Sequence, residues 1–121
     1  MDCRHDADGI KSKEDLIRHL SGMTEFEKAV LLAVFEIPRG KVSTYKRIAE
    51  KIGRPSAYRA VGNALHKNPL APTIPCHRVV RSDGRIVGET EAEVAERRRL
   101  LVEEGVPIDN FRVKLNIEML Y

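Results

Sequence analysis

Only two cysteines, Cys3 and Cys76, stand in the 121 residues of this chain, and they lie far apart. No C-x-x-C spacing exists, which argues against a zinc site and against a disulfide framework. Free thiols suit a reducing cytosol, so the expected compartment is cytoplasmic, nucleoid-associated, or nuclear in a eukaryote. Long apolar runs are missing too. The longest, Ala29 to Phe35, falls far short of the ~20 residues that a membrane span needs, and nothing resembles a signal peptide. Trp is absent and aromatic residues make up 5% of the chain. No internal repeat or low-complexity segment occurs. Charge of one sign is scarce: 21 Lys and Arg against 18 Asp and Glu leave a net charge of +3. That total does not by itself point to nucleic acid, so the placement of the basic residues has to decide.

At this length one domain with a real core is expected. It is drawn over residues 23–121, after a polar arm at residues 1–22. Residues 1–13, MDCRHDADGIKSK, lack periodicity. Cys3 and His5 are too few ligands for a structural metal, and Asp15 to Leu20 adds a short helix. Thr24 and Glu27 make a capping box that starts a core helix. Phe26, Val30, Ala33, Val34 and Ile37 recur at helical spacing, and Pro38 and Gly40 end it. Val42 to Tyr45 lead into a second helix, capped by Ser43 or Thr44, with Ile48, Ala49 and Ile52 inward. Gly53-Arg54-Pro55 breaks it. Ser56 is placed to cap a third helix, Ala57 to about Lys67. Two short helices joined by a tight Gly-containing turn, with the small Ala49 where they cross, form the helix-turn-helix pattern.

The third helix reads SAYRAVGNALHK. Gly62 in its interior costs roughly 1 kcal/mol relative to Ala, so a compensation is expected. Close packing against another helix is one account; close approach to a nucleic-acid groove is the other. Lys46, Arg47, Lys51, Arg54, Arg59 and Lys67 cluster around this helix. A charge cluster is usually a solvated face, but here it coincides with a candidate recognition helix and suggests a phosphate-binding surface.

Asn68-Pro69-Leu70-Ala71-Pro72 is a stiff connector. Arg78 to Arg81 and Arg85 to Val87 are β-prone runs around an Asp83-Gly84 turn, which predicts a hairpin in the position of a wing. Thr90 and Glu93 make a second capping box. The helix they open runs through Arg97 to Leu101, with Gly105 as its C-terminal cap and Pro107 beyond. From Phe111 to Met119 apolar odd positions alternate with polar even ones, which predicts a half-buried strand pairing with the hairpin. The fold class is therefore mainly α with a small β-hairpin, a winged helix-turn-helix domain.

Cys76 lies in TIPCHRVV, between Pro75 and His77. One reading makes it a small buried filler. The other makes it a nucleophile, with His77 taking its proton, directly or through a water, and Glu103 or Glu104 orienting the histidine. The residue pattern alone leaves both open.

Three segments together resemble one family, the DNA-binding domain of O6-alkylguanine-DNA alkyltransferases. They are IPRGKVSTYKRIAEKIGRP (37–55), RAVGNAL (59–65) followed by KNPL, and IPCHRVVRSDG (74–84). RRRLLVEEG (97–105) is similar to the family's closing helix. The resemblance implies a repair protein that docks its helix-turn-helix in the minor groove, flips an O6-alkylguanine out of double-stranded DNA, and takes the alkyl group irreversibly. It implies that Cys76 is the alkyl acceptor, His77 the base that deprotonates it through a water, and Glu104 the carboxylate that orients His77. Tyr45 would donate to the flipped guanine, Arg59 would fill its place in the stack, and Asn68 would brace the turn beside the thiol. Gly62 would face the groove, and Lys46, Arg54 and Ser82 would contact the DNA backbone. It further implies a monomer that uses no metal and no cofactor.

Two departures stand out. Only about 23 residues precede the first core helix, where the family usually has an N-terminal domain. The loop after the turn, VGETEAEVAE (87–96), lacks the G-Y-x-G-G pattern that closes over the base. Both features are similar to alkyltransferase-like proteins, which bind such lesions without repairing them; yet those usually replace the cysteine that this chain keeps. Active transfer is the first expectation, lesion binding the second. A winged-helix regulator without lesion preference is a third, which leaves IPCHR unexplained.

Overall fold

The computed structural model describes residues 13–68 and 73–121. Cys3 and His5, and residues 69–72 of the connector, lie outside them. The chain order is α1 (Lys13–His19), α2 (Glu25–Phe35), β1 (Ser43–Thr44), α3 (Tyr45–Lys51), α4 (Tyr58–His66), a single 3₁₀ turn (Cys76–Arg78), β2 (Val79–Val80), α5 (Glu91–Glu103), β3 (Ile108–Asp109) and β4 (Arg112–Val113). The class is as expected, mainly helical with a helix-turn-helix at α3–α4. Among the described residues no helix is long and apolar enough to cross a membrane.

The local signals explain most boundaries. Thr24 Oγ1 accepts from the Glu27 amide at 3.1 Å, and Glu27 Oε1 accepts from the Thr24 amide at 2.9 Å, so the capping box of α2 is complete. Thr44, not Ser43, caps α3, accepting from the Arg47 amide at 3.1 Å. That helix ends when the Gly53 and Arg54 amides turn back onto the Glu50 and Ala49 carbonyls at 3.0 and 2.8 Å. This is the Schellman arrangement, which favours glycine at its left-handed position. Ser56 does not cap α4 as expected: Ala57 occupies the cap position and contributes no side-chain bond.

The apolar faces make two adjoining cores. The first joins α1 to α4 through Leu16, Leu20, Val30, Leu31, Val34, Ile48 and Val61, with Ile74, Cys76 and Val79. Leu16 and Leu20 are fully buried, so α1, within the segment drawn as an arm, belongs to this core. The second joins Val42, Val80, Ile86, Leu101, Val106 and Val113. The chain crosses from one core to the other along Cys76–Val80. β1 and β2 are locked there in a parallel pair, Ser43 opposite Val79 and Thr44 opposite Val80.

The wing differs from a regular hairpin. Its turn closes, with the Arg81 amide on the Arg85 carbonyl at 3.0 Å and the Gly84 amide on the Arg81 carbonyl at 2.8 Å. Gly84 sits at φ +91°, and a Cβ there would meet the Val113 carbonyl oxygen at 2.4 Å. Beyond the turn each arm pairs elsewhere: β2 with β1, and Arg85 with Arg112 of β4. The expected strand from Phe111 to Met119 is also cut short. Asn116 Oδ1 accepts from both the Glu118 and Met119 amides at 3.0 Å, a local turn that competes with the ladder. Ile117 is consequently 89% exposed despite its apolar register.

Candidate active site and nucleic-acid interface

At the crossing between the cores, the 3₁₀ turn presents Cys76 and His77, whose residues are 8% and 4% exposed. α5 ends opposite them. Its last turn closes through the Gly105 amide on Val102 and the Val106 amide on Leu101, both at 3.0 Å, and this leaves Glu104 at the helix C-cap, facing the turn. His77 Nε2 and Glu104 Oε2 are 2.8 Å apart. Arg78 forks onto the same carboxylate, Nε to Oε1 at 2.8 Å and Nη2 to Oε2 at 2.9 Å, while its Nη1 donates to the Ile37 carbonyl at 2.7 Å.

The electrostatics of this triplet assign its protons. Burial acts to raise the Glu104 pKa, but the bonds from Arg78 and His77 outweigh it and hold the carboxyl below its ordinary value. Burial lowers the pKa of His77 and prevails over the opposing pull of Glu104. A neutral imidazole therefore faces an ionised carboxylate. The carboxylate accepts only, so Nε2 carries the proton and Nδ1 is the basic nitrogen.

The carboxamide of Asn68 donates from Nδ2 to the Ile74 carbonyl at 2.9 Å, bracing the approach to the thiol. Tyr45, at the first position of α3, is pushed to a raised pKa by burial, with Arg97 and Arg81 acting in the opposite direction. The phenol thus stays protonated at neutral pH and is available as a donor.

A cleft of about 1170 Å³ is lined by Tyr45, Lys46, Arg59, Gly62, Ser82 and others, though not by Cys76, His77 or Glu104; Arg97, bonded to both the Cys76 sulfur and the Val87 carbonyl of the cleft wall, links it to the thiol. The cleft gathers five of the residues singled out from the sequence along one opening. Arg54 is exposed in the α3–α4 turn and is not part of that lining. The wider basic cluster divides. Lys46 and Arg59 stay at the cleft. Arg47 instead bonds the Tyr121 carbonyl at 3.2 and 3.3 Å, Lys51 lies 3.8 Å over the Tyr121 ring, and Lys67 pairs with Glu27 at 2.8 Å.

Three further arginines belong to the site. Arg78 lies in the 3₁₀ turn and not in the β-prone run expected from Arg78 to Arg81; its place directly after Cys-His is a usable signal. Arg81 lines the cleft from the wing turn. Arg97 reaches from α5 to the Cys76 sulfur at 3.7 Å, the Val87 carbonyl at 2.9 Å and Glu93 Oε1 at 2.9 Å. It lies two helical turns before Glu104 and so on the same side of α5. At the mouth of the cleft, His66 and Glu89 approach to 3.2 Å.

Residues 25–106 match the family model described as the DNA binding domain of 6-O-methylguanine DNA methyltransferase. A methylated-DNA–protein-cysteine methyltransferase from Methanosarcina barkeri is 57% identical over 65 residues, 54% of this chain and 41% of that protein. One from Methanothermobacter thermautotrophicus is 40% identical over 103 residues, 84% of this chain and 57% of that protein. The chain thus spans about half the length of these curated relatives. Among solved structures, S. pombe Atl1 in complex with damaged DNA containing O6-carboxymethylguanine superposes with a TM-score of 0.71 at 40% identity, covering 82% of this chain and 96% of that one.

Proposed function

Because the chain belongs to the family defined by the DNA-binding domain of 6-O-methylguanine DNA methyltransferase, we propose that it removes alkyl groups from O6 of guanine in duplex DNA by taking them onto its own Cys76. The observation that carries this reading is the buried His77–Glu104 pair at 2.8 Å, with His77 directly after Cys76 in the chain.

In this reading α4 enters the minor groove and the damaged base swings into the cleft. Extrusion costs a few kcal/mol, least for a weakened pair. Arg59, exposed on the first turn of α4, occupies the vacated stack and offsets part of that cost. Lys46, Arg54 and Ser82 meet phosphates, joined by Arg81. Gly62 keeps the helix surface low toward the groove.

The transfer is a displacement at the alkyl carbon. The thiol proton passes through a water to Nδ1 of His77, while Glu104 holds Nε2 and the resulting positive charge. The sulfur lone pair forms the S–C bond as the C–O6 bond breaks. The departing electron pair leaves on the guanine, which takes up a proton from the Tyr45 hydroxyl. The products are unmodified guanine and a thioether at Cys76, and the proton taken up by His77 passes through water to restore the Tyr45 phenol. A thioether has no proton to lose and no thiolate to regenerate, so each molecule acts once.

A second reading has support of its own: the fit to S. pombe Atl1 extends over 96% of that chain. There the cleft would hold the lesion without transfer and present it to excision repair. One experiment separates the two. The protein is incubated with a duplex containing a single O6-methylguanine, and the peptide bearing Cys76 is weighed. A gain of one methylene, absent with undamaged DNA, is expected. Tight lesion binding with no gain in mass leaves the sensor reading.

A further inference from the structure

We propose that Arg97 is a catalytic residue of this site, its guanidinium stabilising negative charge on the Cys76 sulfur while it holds the loop after the wing in place. The inference deepens the transfer reading above and rests on it for the identity of the electrophile, though not for the effect on sulfur.

The contacts of Arg97 define the role. Nη2 stands 3.7 Å from Sγ of Cys76, within reach of an N–H···S bond, and the side chain is only 18% exposed. A cation in such a partly dry position interacts more strongly with an anion than it would in water. Its other end donates to the Val87 carbonyl at 2.9 Å. Val87 lines the cleft. Arg97 therefore ties the cleft wall to the thiol from a rigid helix, in a loop whose sequence has no aromatic residue and no paired glycines to do so. Glu93, one turn earlier on α5, pairs with Arg97 at 2.9 Å, aiming the guanidinium and masking part of its charge.

His77 alone does not supply a cation at the start of the reaction, since its imidazole is neutral. It acquires charge only by accepting the thiol proton. The ion pair that then forms, thiolate and imidazolium, has Glu104 beside the imidazolium and Arg97 beside the sulfur. When the S–C bond forms, the sulfur loses its negative charge and Arg97 keeps Glu93 and Val87 as partners.

The test uses two reactions of the same thiol. The first is single-turnover transfer from an O6-methylguanine duplex with protein in excess. The second is alkylation of Cys76 by iodoacetamide in the DNA-free protein at pH 7, followed on the Cys76 peptide with the Cys3 peptide as internal reference. Arg97→Gln should slow both by roughly 10- to 100-fold, the loss of one charge-assisted hydrogen bond, and Arg97→Lys should recover most of the iodoacetamide rate. Glu93→Gln unmasks the guanidinium and should speed iodoacetamide alkylation about two- to fivefold, which a purely packing role for Arg97 does not produce. Wild-type rates in Arg97→Gln overturn the assignment. Should that variant fail to fold, an unchanged or slower Glu93→Gln overturns it instead. If the wild-type protein reacts with iodoacetamide in the expected order but takes no methyl group from DNA, the transfer reading fails while the assignment of Arg97 to the sulfur stands.

Discussion

Gly62 faces the ring of Tyr45: a methyl group there would stand 3.8 Å from Cε1 and 3.9 Å from Cδ1 of that ring. Those are ordinary van der Waals distances, so the interior of the protein has room for alanine. The glycine is not explained by packing between α3 and α4. What remains is the cleft, which Gly62 also lines.

Replacing Gly62 by Ala should therefore stabilise the fold, by about 0.5–1 kcal/mol from helix propensity, and at the same time weaken binding to a lesion-containing duplex. Urea unfolding and fluorescence anisotropy measure the two effects. Higher stability with undiminished affinity would remove Gly62 from the DNA interface.

Arg78 is the structural counterpart of Glu104. Their side chains are 16% and 6% exposed, respectively, and Arg78→Ala leaves the carboxylate without its forked partner. Breaking a buried pair in this way costs roughly 3–5 kcal/mol. Arg78→Lys should recover only part, because an ammonium cannot fork across both oxygens. A urea midpoint unmoved by Arg78→Ala would show the pair to be energetically idle.

Acid should weaken the fold in two stages. The pKa values of His77 and Glu104 are both lowered by folding, so for each the unfolded chain binds its proton first and stability rises with pH. For His77 the contribution is complete above the ordinary histidine value of about 6.5 and declines as pH falls from there toward the lower folded value. Glu104 follows below the ordinary carboxylate value of about 4.3. Urea titrations between pH 8 and pH 5 isolate the first stage. His77→Asn should flatten the curve in that window, and a slope equal to wild type would assign it to another group.

Tyr45→Phe removes the proton donor and little of the cleft wall. Transfer should slow by roughly 10²-fold or more, the scale of general-acid catalysis, with lesion affinity nearly kept. Equal losses in rate and affinity would make the hydroxyl a binding group only.

Arg59→Ala removes the residue assigned to the vacated stack. Affinity for damaged duplex should fall about 10- to 100-fold, more than for single-stranded DNA carrying the same lesion, because only the duplex pays for unstacking. Equal losses on both substrates would reduce Arg59 to a phosphate contact.

Much of this architecture is legible in local chemistry. The Thr24–Glu27 box, the Gly53 stop of α3, the Asp83-Gly84 turn and the Gly105 cap each satisfy backbone groups within a few residues, so a short window contains the whole cause. The readings that differ depend on distant partners. β2 pairs with β1 across more than thirty residues, and nothing in VV announces which strand it will meet. Phe111 to Met119 alternates correctly, but Asn116 offers its own backbone a nearer acceptor. At the site, Cys76, His77, Tyr45 and Asn68 are recognisable from motif, whereas Arg97 is one of three consecutive arginines and only the packing of α5 selects it. Leu16 and Leu20 carry an amphipathic signal too short to separate a core helix from a polar lead-in.

The two-residue ladder between β1 and β2 acts as a gauge. Tyr45 begins immediately after β1, and β2 begins immediately after the Cys76–Arg78 turn, so the pairing of Ser43 with Val79 and Thr44 with Val80 sets the spacing of phenol and sulfur. A single residue inserted into either segment shifts one group against the other by roughly 3.3 Å and turns the following side chains to the opposite face. Variation in length is therefore ruinous along four residues that touch neither the base nor the alkyl group.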